Sequence, residues 1–222
     1  MVSRSKTQGF TLVEIAIVLV IIGLLLGGIL KGQEMITQAK IKNVIADFSG
    51  VSAAFYGYQD RYRAIPGDDK NAGRWTGAVA GNGNGVIEGK YVPATPASDE
   101  TAQYWDHLRR AGFISSSGTD NPFNAISGKI GVQTGDGSGA SPGGVLGTAA
   151  NTNLVTGLII CSANLPDKVA ISADSQMDDG KGNSGSVRGK KQTAPNPALV
   201  VNDAADAYSE DGVSTYVVCR QL

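Results

Sequence analysis

The sequence predicts an α+β protein. A long N-terminal α-helix, apolar in its first half and amphipathic in its second, is packed on a small antiparallel β-sheet domain. Three observations carry this. Ile15 to Leu30 is a nearly unbroken apolar run, long enough to cross a membrane as a helix. Beyond it Ile36, Ile41, Val44, Ile45, Phe48, Val51, Phe55, Tyr58 and Tyr62 recur mostly at steps of three and four, the signature of one helix face. The C-terminal part carries short β-branched runs between glycine- and asparagine-rich stretches, the pattern of short strands joined by turns.

The first element is a short polar leader, residues 1–9, with Arg4 and Lys6 and a closing Gly9. Its two cations and the lack of any other basic residue before the span place it in the cytoplasm, so the bulk of the chain lies across the membrane. Phe10 opens the apolar segment and Glu14 is the one acid inside it. A buried acid costs about 2.5–3.5 kcal/mol at the bilayer centre even on lenient scales, so it is kept only where something pairs with it. Cleavage between Gly9 and Phe10 creates such a partner, the new α-amine. A secretory signal peptide is cut after its apolar region at a small-x-small site, and Lys31-Gly32-Gln33-Glu34-Met35 offers none. An uncleaved anchor gives no reason for Glu14.

Gly9-Phe10-Thr11-Leu12-Val13-Glu14 and the apolar run behind it resemble the prepilin-type signature of the type IV pilin superfamily. That superfamily holds the pilins of surface fibres and the pseudopilins of type II secretion. The resemblance implies Gly9 and Phe10 as the cleavage site of prepilin peptidase and Phe10 as the N-methylated first residue. It implies Glu14 as the assembly residue that pairs with the Phe10 amine of a neighbouring subunit. It also implies the partners: further copies of the chain in a helical homopolymer, an inner-membrane assembly platform, other minor pilins and membrane lipid. No cofactor and no enzyme activity follow from it. The expected location is the bacterial inner membrane before assembly, then an extracellular pilus or a periplasmic pseudopilus. The main subunit of a surface pilus, a type II secretion pseudopilin and a minor tip pilin acting as a binding module all fit. Many pilins carry proline where this chain has Lys31; Gly23, Gly27, Gly28 and Gly32 supply either a comparable weakness or close helix packing in lipid. Trp105-x-His107-Leu108-x-x-Ala111-Gly112 and Met177-Asp178-Asp179-Gly180 with Gly185-Ser186-Val187 are more loosely similar to the C-terminal domains of pilin-like proteins.

The expected division is residues 1–9 leader, 10–30 membrane or filament-core half-helix, 31–65 amphipathic half-helix and 66–222 globular domain. Lys40, Lys42, Asp47 and Gln59 lie between the stripe residues, and Pro66-Gly67 ends the helix. Residues 67–97 read as loop. Ser98 caps a helix from Asp99 to Ala111, stopped by Gly112. Residues 131–153 read as a flexible low-complexity loop, Leu154 to Cys161 as a buried strand, Pro166 to Met177 as a short helix, and Ser186 to Arg188 and Thr215 to Cys219 as strands. Cys161 and Cys219 are even in number and lie on the oxidising side, so a disulfide is expected. Free or metal-binding thiols are the competing reading, and no ligand-spaced His or further Cys supports it.

Nothing marks a catalytic nucleophile. With 19 Lys+Arg against 20 Asp+Glu, the net charge of −1 gives no basis for binding nucleic acid. Asn82-Gly83-Asn84-Gly85-Val86-Ile87, with Glu88 behind it, has the cadence of a calcium loop, but an EF-hand needs an acid at Ala80 and a glutamate at Tyr91; plain turns are expected. Asp178, Asp179 and Asn183 read as a turn fixed by its own hydrogen bonds. His107 reads as a surface or half-buried side chain, and Arg188, Lys190 and Lys191 as a solvated basic patch.

Overall fold

The computed structural model describes Gly9, residues 11–96 and residues 98–222. Its elements are α1 (Leu12–Tyr62), a 3-10 turn (Ala72–Arg74), α2 (Glu100–Arg110), β1 (Ile130–Thr134), β2 (Leu158–Pro166), α3 (Asp167–Met177), β3 (Val187–Lys191) and β4 (Thr215–Gln221). The chain divides between Ala39 and Lys40 into two compact units, and α1 contributes to both.

In the first unit every residue of α1 from Leu12 to Leu30 is exposed, and α1 is long and apolar enough there to cross a membrane. In the second unit the helix turns amphipathic. Ile41, Val44, Phe48, Val51, Ala54, Phe55 and Tyr58 are buried, while Lys42, Asn43, Ser49 and Tyr56 face outward. The buried stripe thus begins at Ile41, and Ile36 stays 58% exposed. The helix also stops before Pro66. Arg63 turns left-handed (φ 53°) and donates its N–H to the Gln59 carbonyl at 2.8 Å, an αL stop made without glycine.

The sheet is antiparallel throughout, in the order β1-β2-β4-β3. Both of its faces are buried. Ile130, Val132, Ile160, Leu165, Val187, Tyr216 and Val218 join the α1 stripe, Tyr104, Trp105 and Leu108 of α2 and Val169, Ala170 and Ala173 of α3 in one apolar cluster. The alternate residues Ile159, Cys161, Ala163, Val217 and Cys219 join Tyr91, Val145, Leu146, Val155, Leu199 and Ala205 in a second. Side chains change face with period two. The irregular register between Ser162 and Leu165 resets that parity in β2, with Asn164 left-handed at φ 59° inside it, as a bulge requires.

Residues 131–153 depart from the flexible loop expected of them. β1 occupies their start, and Val145 and Val155 exchange backbone hydrogen bonds at 2.9 and 2.8 Å. The Arg188 guanidinium reaches over from β3 to the carbonyls of Leu146, at 2.6 Å, and Asn153. The glycines here serve close backbone approach: a Cβ on Gly131 would stand 1.9 Å from the Tyr91 carbonyl oxygen. The first predicted strand is likewise shifted, from Leu154–Cys161 to Leu158–Pro166. Both outer edges of the sheet are occupied. The Asn121 amide donates to Ile130 O and Tyr91 O, both at 2.8 Å, and Gln133 accepts the Tyr91 N–H. On β3, Gly189 N–H bonds Gly182 O and Asp206 N–H bonds Gly189 O. Satisfied edges do not recruit foreign strands.

α2 is buried from Glu100 through Leu108, on every side rather than the one face its spacing predicts. Its N-cap is Asp99 rather than Ser98. It ends in a Schellman motif: Phe113 N–H to Leu108 O and Gly112 N–H to Arg109 O, with Gly112 at φ +80°.

Gly131→Ala is expected to destabilise the detergent-solubilised chain by about 1–3 kcal/mol through overpacking. Gly157→Ala, whose Cβ meets only the Gln221 amide at 3.4 Å, should stay within about 0.5 kcal/mol. Paired thermal melts check this, and a wild-type melt for Gly131→Ala would contradict the close approach to Tyr91.

Candidate functional site

The N-terminal signature falls in the first unit. Phe10, with Arg4 and Lys6 of the leader, lies outside the described residues, so the expected cleavage and methylation position is flanked in the structure by Gly9 on one side and Thr11 on the other. Thr11 and Glu14 form a reciprocal cap on α1. The Glu14 Oε2 atom accepts the Thr11 N–H and the Thr11 hydroxyl, both at 2.8 Å, and the Thr11 Oγ1 atom accepts the Glu14 N–H at 3.3 Å. This is the Thr-x-x-Glu capping box, which satisfies two of the orphan donors at a helix start. The signal stands in the sequence, and reading Glu14 only as a partner for an amine overlooks Thr11. Both bonds to the carboxylate fall on Oε2, so among the described residues Oε1 has no partner.

A Cβ on Gly9, Gly23, Gly27, Gly28 or Gly32 would meet nothing within 4 Å. Among the described residues their small size therefore serves no contact, which is compatible both with a weakened helix and with close packing against other molecules.

In the second unit Cys161 and Cys219 stand opposite each other on β2 and β4 and are joined, 58 residues apart in sequence. Closing a loop of that length stabilises the fold by about 4 kcal/mol on the chain-entropy account. The disulfide lies on the sheet face covered by loops.

Acidic side chains elsewhere in this unit hold backbone in place. Asp68 Oδ1 accepts Gly83 N–H at 2.6 Å and Asn84 N–H at 3.1 Å, and Oδ2 accepts Gly85 N–H at 2.7 Å. Glu100 takes the N–H groups of Asn82 and Glu88. The loop with the calcium-like cadence is therefore wrapped around carboxylates. Asp174, Asp178 and Asp179 bring oxygens within 4.8 Å of one another, and each is already engaged. Asp174 binds the Tyr208 hydroxyl (2.8 Å) and Gly180 N–H (3.0 Å). Asp178 accepts Ser186 and Val187 N–H at the start of β3, and Asp179 accepts Lys181 N–H and the Ser184 hydroxyl. Burial pushes the Asp174 pKa up to about 6, with the Asp179 and Asp178 charges adding to it. The expected solvated basic patch is instead paired: Lys190 lies 2.8 Å from Asp203 and 3.5 Å from Asp206, and Lys191 lies 3.8 Å from Asp211.

His107 is fully buried rather than at the surface or half-buried. Its Nδ1 accepts Gly67 N–H at 2.9 Å and its Nε2 donates to Val79 O at 2.8 Å, which fixes the neutral Nε2–H tautomer. Beside it Tyr58 donates to Asp69 at 2.6 Å and Arg74 pairs with the same carboxylate at 2.7 Å. The guanidinium lies 4.6 Å from the Tyr62 ring centroid and 5.0 Å from that of Trp75, at cation–π distance. Burial holds the His107 pKa below 6.5 against the pull of the Val79 carbonyl and the Asp69 and Asp106 charges.

Residues 4–30 match the family model for the prokaryotic N-terminal methylation motif. No curated protein matches the chain. Among solved structures, the major type IV pilin PilA1 from Clostridium difficile is similar at 14% identity, with 82% of this chain and 96% of that chain covered and a TM-score of 0.37.

His107 gives the stability a pH dependence of stated sign. Its folded pKa lies below its unfolded value, so between the two the unfolded chain binds the extra proton. Its contribution is full above about 6.5 and is lost as pH falls from there. Asp174 runs the other way, gaining stability as pH falls from about 6 towards 3.8. Denaturant midpoints across pH 8 to 5 should therefore fall less steeply for His107→Gln than for wild type, and equal slopes would remove His107 from the account.

Proposed function

We propose that the chain, whose residues 4–30 match the family model for the prokaryotic N-terminal methylation motif, is a structural subunit of a type IV pilus-like filament. The observation that carries this is the exposure of all of α1 from Leu12 to Leu30 together with glycines at which a Cβ would meet nothing within 4 Å among the described residues. Lipid first covers this surface, and neighbouring copies then replace lipid. The match to that motif supports cleavage after Gly9 by prepilin peptidase and N-methylation of Phe10.

The physics of assembly follows from the change of surroundings. Lipid tails are as apolar as leucine, so leaving the bilayer gains little from hydrophobicity itself. Close packing at small residues and satisfied polar groups decide the association. Glu14 enters the bilayer with Oε2 already bonded to Thr11, which moderates its cost there. Its Oε1 is available to the Phe10 amine of another copy. An acid without that partner in the filament core is expensive, so pairing selects one axial offset between subunits. Lys31 forms an ion pair with Glu34 at 2.8 Å just beyond the apolar run, where cations sit at the membrane interface.

Two substitutions test the reading. Gly9→Leu should accumulate as uncleaved, membrane-bound precursor on immunoblots, and normal cleavage would overturn the peptidase assignment. Glu14→Ala should be cleaved normally while sheared filaments fall by roughly tenfold or more, the factor for about 1.4 kcal/mol per subunit contact. Wild-type filament yield from Glu14→Ala would sink the register role of Glu14.

A further inference from the structure

Asn82-Gly83 and Asn84-Gly85 are two consecutive asparagine–glycine pairs, the dipeptide most prone to spontaneous deamidation because glycine leaves its amide nitrogen unshielded. In that reaction the glycine nitrogen attacks the asparagine Cγ. The new N–Cγ bond forms as the Cγ–Nδ2 bond breaks, and the nitrogen's proton leaves with ammonia. Water then opens the cyclic imide to aspartate or isoaspartate. No oxidant or enzyme is needed, so the rate in a folded protein is set by how both reacting groups are held.

Here one carboxylate holds both nucleophiles and another holds both electrophiles. Asp68, 4% exposed, accepts the Gly83 N–H at 2.6 Å and the Gly85 N–H at 2.7 Å, one on each oxygen. Glu88 Oε1 accepts the side-chain amide of Asn82 at 3.0 Å and that of Asn84 at 2.8 Å. The remaining side-chain oxygens are engaged as well: Asn82 Oδ1 takes Asn84 N–H and Asn84 Oδ1 takes Val86 N–H, both at 2.9 Å. Attack at either pair requires breaking a short charge-assisted bond at the nitrogen and turning a side chain fixed at both of its polar atoms.

We propose that residues 82–85 are a latent self-modification site, kept in the amide form by Asp68 at the two glycine nitrogens and by Glu88 at the two asparagine amides. The two acids that hold this calcium-like loop thereby preserve its covalent structure. Loosening either contact converts neutral amides into carboxylates beside Glu88, and like charges gathered there repel.

The test uses the full-length protein in detergent, folded and guanidinium-unfolded, aged at mildly alkaline pH. Peptide mass mapping follows Asn82 and Asn84, with Asn183 (before Ser184) as an internal report of global opening. Folded wild type should deamidate at Asn82 and Asn84 roughly ten- to a hundredfold more slowly than unfolded, the factor one hydrogen bond to a charged group supplies. Asp68→Ala should raise both rates about tenfold with Asn183 unchanged. Should that variant open globally, Asn183 accelerates with them, and the more exposed Glu88→Ala, expected to speed both pairs, decides instead. Equal rates in folded and unfolded wild type would overturn the proposal. So would slower modification in Asp68→Ala, since Asp68 would then be a base that promotes attack.

Discussion

None of the described residues covers α1 from Leu12 to Leu30, whereas from Ile41 to Tyr58 the same helix buries a stripe in the core of the second unit. That contrast governs the structure. The first stretch can exist only in lipid or among other helices. The second stretch brings α2, α3 and one sheet face into a single apolar cluster, and thereby fixes the folded unit to the helix that other molecules must cover. A helix of this kind couples folding of the chain to its surroundings, and the proposed filament is the arrangement in which both stretches are satisfied.

Much of this was legible in residue spacing. The three- and four-residue steps from Ile41 to Tyr58 place the buried stripe correctly, and Gly112 and the Val169–Ala173–Met177 spacing mark the end of α2 and the course of α3. The misses have physical causes. β1 was hidden because Gly131 breaks its β pattern, and that glycine is present for the Tyr91 carbonyl, a contact made with a distant part of the chain. The second cluster lies under loops whose glycine and serine content reads as mobility, yet Val145, Leu146 and Val155 sit beneath that composition as core. α1 ends at Tyr62 rather than at Pro66 because Arg63 turns left-handed with its N–H on the Gln59 carbonyl, a stop that no glycine marks in the sequence. In the N-terminal signature the sequence points to Gly9, Phe10 and Glu14 as the expected processing and assembly residues, while Thr11 emerges only with its bonds to Glu14.

Buried acids explain why several loops imitate ligand sites. Asp68, Glu100 and Asp174, together with the exposed Asp178, each accept backbone N–H groups, so a chain with 30 glycines and long connections keeps its loops ordered through carboxylates as well as through isolated backbone bridges. Buried donors need partners, and in loops without a ladder these acids supply them. The same economy places Arg188 on the carbonyls of Leu146 and Asn153 and commits both nitrogens of His107.

The most direct measurement is the intact mass of the protein sheared from the surface of the cells that express it. A filament subunit of the kind described has a chain that begins at Phe10, carries one added methyl group and lacks the two hydrogens lost in joining Cys161 to Cys219. Sheared material that retains residues 1–9, or processed protein confined to the membrane fraction, would contradict it.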